Sequence, residues 1–191
     1  MKKMGFILLL ILPMISYADS VRMFSASAIQ QDDGIGASTS IGYGASIGYT
    51  GINNGRYITT LMYSNFSEDD WHSSAYGLGL NYAFQSVYTG SFYAGIGIAH
   101  SRVSIKKNIG GPYNLKIFVE ASDQQGFARL GYSKLSGVGI DYDYSLVSMD
   151  GETTVGASWR GAINNSNYGW LLGVASNNDA DTLSAGVSVI F

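Results

Sequence analysis

The chain has 191 residues, a formal net charge of −3 and 13% charged residues, against about 25% in a typical soluble domain. It has 25 glycines, 14 tyrosines and no cysteine, which excludes disulfide bonds and a cysteine-linked lipid anchor. A water-facing surface is hard to build from so few charges, and the acidic balance argues against nucleic acid as a partner.

Residues 1–18 predict a cleaved secretory signal. The stretch begins with a basic pair, continues with apolar residues 6–15 and ends on Ser16-Tyr17-Ala18, a small-x-small cleavage pattern. Its apolar part is too short to span a bilayer. We expect residues 19–191 to form one domain that is exported through the periplasm.

From residue 19 onward, large apolar residues alternate with Gly, Ser, Thr or Ala, and this period of two is typical of β-strands. In residues 75–84, one face is bulky and apolar while the other is small. Turn signals divide the chain into ten such stretches, so the predicted fold class is all-β. We predict strands at roughly 21–30, 36–50, 56–66, 74–84, 90–107, 115–133, 136–147, 153–163, 168–176 and 182–191.

Two-residue hairpin turns are predicted at Asp33-Gly34 and Asp150-Gly151, because both central positions of such turns favour positive φ. A tight turn at Asp33-Gly34 would place Phe24 opposite Tyr43. At residues 53–55 the loop length is ambiguous, so the register of the third strand stays open.

The two strand faces decide between a soluble and a membrane barrel. A face of Gly and Ser makes a poor soluble surface but suits a small polar lumen, so the bulky face is expected to meet lipid. We predict a closed antiparallel transmembrane β-barrel of ten strands in the outer membrane, with both termini periplasmic. Aromatic residues should form a girdle at the periplasmic end: Tyr49, Phe84, Phe92, Tyr132, Tyr168 and Phe191.

Charge separates the two sets of connections. The set near residues 51–55, 85–89, 134–136 and 164–167 contains no acidic residue. We assign the acidic set to the cell exterior, where such barrels carry their longer loops. Its members are Asp32, Asp33, Glu68, Asp69, Asp70, Asp150, Glu152, Asp179 and Asp181.

The last strand ends in a polar-x-Gly-x-x-apolar-x-apolar pattern formed by Ser184, Gly186, Val189 and Phe191. This pattern resembles the signal that hands outer-membrane barrels to the barrel assembly machinery. Over essentially its whole mature length, the chain is similar to the small outer-membrane barrels of the OmpX, OmpA-transmembrane and opacity-protein type. Those barrels usually have eight strands, so eight is the alternative to ten. The resemblance implies membrane integrity, surface adhesion or a narrow pore without choosing among them.

Four charged residues are expected in the lumen. A tight turn at Asp150-Gly151 places Asp141 opposite Arg160, and a short turn near residue 135 would place Arg129 on the other side of Asp141. Asp143 follows on the same face. The row could line an ion-selective constriction. Alternatively, these groups plug the barrel and satisfy one another, which we favour because an unpaired charge in a confined lumen is costly.

A long hairpin is predicted over residues 103–123, with a turn at Gly110-Gly111-Pro112. Its lysines, Lys106, Lys107 and Lys116, make it a basic projection on an acidic rim. A protruding strand pair can bind a partner by strand addition. Equally, it can be a solvated loop whose lysines prevent unwanted edge pairing.

The outer rim offers two further candidates. His100 and Arg102 fall on the lipid side, where cationic contact with lipopolysaccharide phosphates is reasonable, although an ordinary polar rim explains them as well. Asp69, Asp70 and His72 are the only candidate hydrolytic cluster, and loop solvation is the favoured explanation. No metal-ligand spacing, cofactor motif or cysteine nucleophile is present in the sequence.

The leading functional hypothesis is a non-enzymatic, monomeric outer-membrane barrel that acts in surface interaction, adhesion or membrane integrity. The expected partners are membrane lipid, lipopolysaccharide, the barrel assembly machinery and an extracellular surface partner. A narrow channel for ions or small solutes is the competitor. A rim-located lipid A or peptide hydrolase is a third alternative.

Overall fold

A computed structural model describes residues 20–33, 40–68, 71–109, 115–136, 139–163 and 166–191. The predicted signal, residues 1–18, lies outside the described residues. Within them, no helix is long and apolar enough to cross a membrane. The strands are β1 Ser20–Asp33, β2 Ser40–Asn53, β3 Tyr57–Glu68, β4 Trp71–Ala83, β5 Ser91–Ile109, β6 Leu115–Lys134, β7 Ile140–Met149, β8 Glu152–Ala162, β9 Tyr168–Ser176 and β10 Asp181–Ile190.

The ten strands form a closed barrel in which each pairs antiparallel with its sequence neighbours, and β1 closes the ring against β10. The predicted closed, ten-strand, all-β fold is therefore confirmed, and the eight-strand alternative is wrong. The first and last described residues lie at the same end of the barrel, since Ser20 pairs with Asn53 and the Phe191 amide donates to the Arg22 carbonyl. The periplasmic placement of that end stays a prediction.

Strand alternation sorts the side chains into an outward apolar face and an inward small face. The outward side chains of Ile96 and Phe92 are 70% and 66% exposed, which no water-soluble barrel would favour for its main surface. Glycine on the inner face permits close packing: a Cβ at Gly97 would strike the Phe127 ring and the Leu78 carbonyl oxygen. Small inward residues therefore leave room for the few large side chains that enter the lumen.

Two turns have the positive φ values that their residues favour. Asp150 and Gly151 have φ values of 50° and 81° between the ladder partners Met149 and Glu152, which confirms the predicted two-residue turn. Asn54 and Gly55 have φ values of 52° and 61° in the connection between β2 and β3. Pairing of Asn53 with Tyr57 resolves the register that the sequence left open.

The predicted tight turn at Asp33-Gly34 is wrong. Asp33 pairs with Ser40, so the connection is longer than two residues, and Phe24 lies opposite Tyr49 rather than Tyr43. A tight turn would have left residues 48–53 without partners on β1. The observed register instead pairs both strands along their full lengths and so satisfies more backbone groups.

Aromatic side chains surround the outward face at one end of the barrel, as predicted for a girdle. Phe24 packs on Tyr49 and Phe191, with ring centroids 5.1 and 5.4 Å apart. Phe92 packs on Tyr132 at 4.9 Å. We call this the turn end, because it also carries the connections 54–56, 84–90, 135–139 and 163–167. The opposite end is the loop end.

Candidate functional site

Asp141 and Arg160 form a buried ion pair inside the turn end. They are ladder partners on β7 and β8, as predicted, and are only 2% and 3% exposed. Arg160 Nη1 lies 3.8 Å from Asp141 Oδ2, while Arg160 Nε donates to the Ser188 hydroxyl at 2.7 Å. Arg160 Nη2 donates to the Asn167 carbonyl at 3.2 Å. The guanidinium thus connects β8 with β7, β10 and the connection before β9.

The second carboxylate oxygen of Asp141 fixes the connection between β6 and β7. Ser136 donates both its backbone N–H and its hydroxyl to Asp141 Oδ1, each at 2.8 Å. This connection is longer than the short turn that the sequence suggested, because Lys134 pairs with Tyr142. Ser136 and Ser188, which the sequence did not identify, complete the polar shell around the pair.

The predicted row with Arg129 opposite Asp141 is wrong. Arg129 pairs with Val147 because the longer connection shifts β6 relative to β7. Its Nη2 instead binds Asp143 Oδ2 at 2.6 Å, and Tyr93 donates its hydroxyl to the same oxygen at 3.2 Å. The Arg129 guanidinium also lies 5.3 Å from the centre of the Tyr93 ring. The four predicted lumen charges therefore form two ion pairs rather than one row.

An apolar cluster fills the other half of the turn end. The connection 84–90 places Val87 inside the barrel with no exposed surface, packed with Ile52, Ile58 and Tyr93. Its backbone is fixed on both sides, because the Val87 amide donates to the Gly55 carbonyl at 2.8 Å and its carbonyl accepts from Leu135 at 2.9 Å.

We call this combined layer the lumen base: the Val87 cluster together with the Asp141–Arg160 and Arg129–Asp143 pairs. Above it, the lumen is wide enough for the inward side chain of Met62 to be 56% exposed. The described part of the barrel is thus filled at the turn end and less tightly packed around Met62, while Phe66 is buried nearer the loop end.

The β5–β6 hairpin extends beyond both neighbouring strands. Pairing between β5 and β6 runs from Ser91–Ser133 to Ile109–Leu115, whereas β7 begins to pair with β6 only at Phe127. Among the described residues, none therefore pairs with β6 from Leu115 to Gly126 on its β7 side. We call this stretch the free edge. The predicted turn at residues 110–112 lies outside the described residues.

Each face of the hairpin has its own chemistry. Ile105, Ile117 and Val119 lie on the face that continues the lumen side, and each is at least 40% exposed. On the other face, Lys106 lies 5.8 Å from the centre of the Phe118 ring. Lys107 and Lys116 are placed by backbone register only, opposite Ile117 and Asn108.

The rim candidates lie on the outward face toward the loop end. The His100 ring packs on Tyr76 at 4.8 Å, and Arg102 binds Glu120 at 2.6 Å with both side chains partly exposed. Contact with lipopolysaccharide stays a prediction for both residues. The Glu120 carboxylate already binds one nitrogen of the Arg102 guanidinium.

The Nδ1 atom of His72 lies 2.6 Å from the Ser67 hydroxyl oxygen. Asp69 and Asp70, its predicted companions, lie outside the described residues. No group of three or more His, Cys, Asp or Glu residues suited to a metal ion occurs in the part of the chain that the structure describes.

The terminal motif lies on the strand that closes the barrel. Ser184 and Gly186 face inward, and a Cβ at Gly186 would strike the Ala26 carbonyl. Val189 and Phe191 face outward beside Phe24. The motif thus combines close packing against β1 with an aromatic contact at the girdle, and its role as an assembly signal stays a prediction.

The sequence matches no family model and no curated protein. Among solved structures, the chain is similar to Neisserial surface protein A at 16% identity, covering 89% of this chain and 96% of that one with a TM-score of 0.44. It is also similar to Ail, the attachment invasion locus protein of Yersinia pestis, at 10% identity, covering 90% of this chain and 99% of that one with a TM-score of 0.45. The translocator domain of the autotransporter NalP from Neisseria meningitidis is similar at 9% identity, covering 100% of this chain and 95% of that one with a TM-score of 0.45.

Proposed function

We propose that this chain is an outer-membrane β-barrel that binds a surface partner through the free edge of its β5–β6 hairpin. One observation carries the proposal: in the part of the chain that the structure describes, no strand pairs with β6 from Leu115 to Gly126 on its β7 side. The barrel holds this edge at the loop end, away from Ser20 and Phe191 at the turn end.

Membrane insertion follows from the outward surface. In lipid, every backbone polar group needs a partner, and a closed barrel provides one within the protein. The exposed apolar face between the girdle and the loop end suits hydrocarbon. Arg102, whose side chain is 57% exposed, is available at the outward rim to the phosphates of lipopolysaccharide.

The free edge supports binding by strand addition. Its unpaired N–H and C=O groups can form a ladder with an extended segment of a partner. Ile117 and Val119 add exposed apolar surface beside that ladder. The corresponding edge of β5 is shorter, because β4 pairs with β5 as far as Ile105. We therefore assign the partner to β6.

The lumen base argues against the channel hypothesis. Solute would have to pass side chains that are almost completely buried, among them Val87, Tyr93 and Arg160. Each ion pair also connects neighbouring strands, so clearing a path would leave buried charges without partners. A plugged scaffold for the outer hairpin fits this arrangement better.

The test is to shorten the hairpin to the part of β5 that pairs with β4, while the barrel is kept. Ile105 and Val119 are ladder partners, so replacing residues 106–118 with Asn-Gly gives a two-residue turn and preserves the pairing with β4. Asp150→Asn is the control. It changes a different turn at the loop end, and asparagine is also favoured at that turn position.

Gram-negative cells displaying each variant are compared for adherence to an epithelial monolayer. Folding is checked by the gel-mobility change that a barrel shows on heating. The shortened variant lacks the tip of the hairpin and the exposed side chain of Ile117, and it keeps the free edge from Val119 to Gly126. We therefore expect it to lose most of its adherence, while Asp150→Asn adheres like the wild type. Equal adherence by the folded, shortened barrel would overturn the proposal.

A further inference from the structure

We propose that the free edge pairs with the free edge of a second copy, antiparallel, so that proteins in two facing outer membranes join. This inference rests on the proposed function and assigns a further partner, a second copy of the chain, to the same free edge. It depends on the register in which the segment from Leu115 to Ala121 best matches itself.

Antiparallel self-pairing centred on Phe118 gives a complementary ladder. Phe118 then lies opposite its own copy, and Ile117 lies opposite Val119 on both sides of the centre. At the next positions, Lys116 lies opposite Glu120, again twice. Opposite charges and apolar pairs that face each other across a ladder are stabilising. The interface is self-complementary, as a two-fold symmetric contact requires.

Parallel pairing of the same edges is unfavourable. A two-fold axis along the strands would carry the outward face of one copy onto the lumen side of the other. The Lys116 and Glu120 side chains of the two copies would then lie on opposite faces of the joined sheet, and neither opposite-charge contact could form. The charges of this segment therefore favour the antiparallel arrangement.

The antiparallel arrangement fixes where the two barrels lie. β6 runs from the projecting hairpin back into the barrel wall, ending at Lys134 near the turn end. An antiparallel partner runs the other way, so its barrel lies at the opposite end of the shared ladder. Two barrels joined in this manner belong to two membranes that face each other.

The geometry thus predicts contact between cells rather than dimers within one membrane. A short ladder forms a weak single contact, but many copies on each surface act together. Glu120 is already paired with Arg102 within the hairpin, and its partly exposed carboxylate can accept a second cation.

Charge reversal provides the test. Lys116→Glu leaves two acidic residues at the paired positions, and Glu120→Lys leaves two basic ones. Each variant should repel its own copies, whereas a mixed pair restores both opposite-charge contacts. Cells carrying the full chain with one variant are labelled green, and cells carrying the other are labelled red.

We expect wild-type cells to aggregate and each variant alone to aggregate about tenfold less, since many weak contacts are lost together. Mixed variants should form clusters in which green and red cells touch. Arg102→Gln is the control for the intramolecular ion pair and should aggregate like the wild type.

Three results would overturn the inference: wild-type cells that stay dispersed, single variants that aggregate normally, or a folded, displayed mixture that does not cluster. Loss of aggregation in Arg102→Gln would also count against it, because the hairpin's own ion pair would then explain the effect of Glu120→Lys. Adherence of these same cells to the epithelial monolayer separates the two proposals. Normal adherence without aggregation would keep the proposed function and reject self-pairing.

Discussion

Asp141 and Arg160 face each other across the β7–β8 ladder with less than a twentieth of either residue exposed. Arg160 Nη1 lies 3.8 Å from Asp141 Oδ2, whereas Arg160 Nε donates to the Ser188 hydroxyl at 2.7 Å and Asp141 accepts two hydrogen bonds from Ser136 at 2.8 Å. Each charge is therefore stabilised by neutral donors and acceptors as well as by its partner.

Removing one member of this pair should destabilise the barrel more than removing both. Arg160→Met leaves Asp141 buried without its cation, which we expect to cost about 3 to 5 kcal/mol in the free energy of unfolding. Asp141→Asn combined with Arg160→Met removes both charges and should cost less than either single change. Urea unfolding of the refolded barrel in lipid vesicles gives the comparison. Additive losses would show that the two charges do not interact.

The face of the barrel on which each side chain lies could be predicted from the sequence, because the alternation of large and small residues does not depend on the exact strand register. Phe24 lies opposite Tyr49 instead of Tyr43, a shift of six residues, and an even shift keeps every side chain on its predicted face. The outward aromatic girdle was therefore predicted correctly even though the turn at Asp33-Gly34 was not.

The lumen base could be predicted only in part. Asp141 and Arg160 were paired correctly because the Asp150-Gly151 turn fixes their register locally. The position of Arg129 depended on the length of the next connection, which hydrogen bonds from Ser136 determine. The buried position of Val87 could not be predicted, because a single valine in a polar turn does not show that the turn enters the lumen.

Tyr93 could have been identified from the sequence. It is the one large side chain on the inner face of β5 among Ser91, Gly95, Gly97 and Ala99. A bulky residue on a face of small ones indicates that something in the lumen packs against it. In the structure, Tyr93 contacts both the Arg129–Asp143 pair and the Val87 cluster.

Two inner-face glycines should differ sharply in their tolerance of alanine. A Cβ at Gly97 would strike the Phe127 ring and the Leu78 carbonyl, whereas at Gly77 the nearest atom is the Ile98 carbonyl oxygen at 3.6 Å. We expect Gly97→Ala to lower the free energy of unfolding by about 1 to 3 kcal/mol through overpacking. Gly77→Ala should change it by less than about 0.5 kcal/mol. Urea titrations of the two variants that coincide would contradict this difference.

Phe191 and Phe24 allow girdle packing to be separated from assembly. Their rings stack at 5.4 Å, so alanine at either position removes the same contact. If Phe191 also belongs to an assembly signal, Phe191→Ala should reduce the folded barrel in cells several-fold more than Phe24→Ala. Both purified variants should refold similarly in detergent. Equal yields in cells would assign the effect of Phe191 to packing alone.

The lumen base should keep the wild-type barrel silent in a planar bilayer. Val87, Tyr93 and the Asp141–Arg160 pair fill its turn end, so we expect no discrete conductance steps. Asp141→Ala with Arg160→Ala removes two side chains of this layer without leaving an unpaired charge, and small steps should then appear. Asp150→Ala, at the exposed loop-end turn, should stay silent. If the wild type already conducts and the double variant changes its step size or ion preference, the ion pair lines a pore, and the channel hypothesis replaces the plugged scaffold.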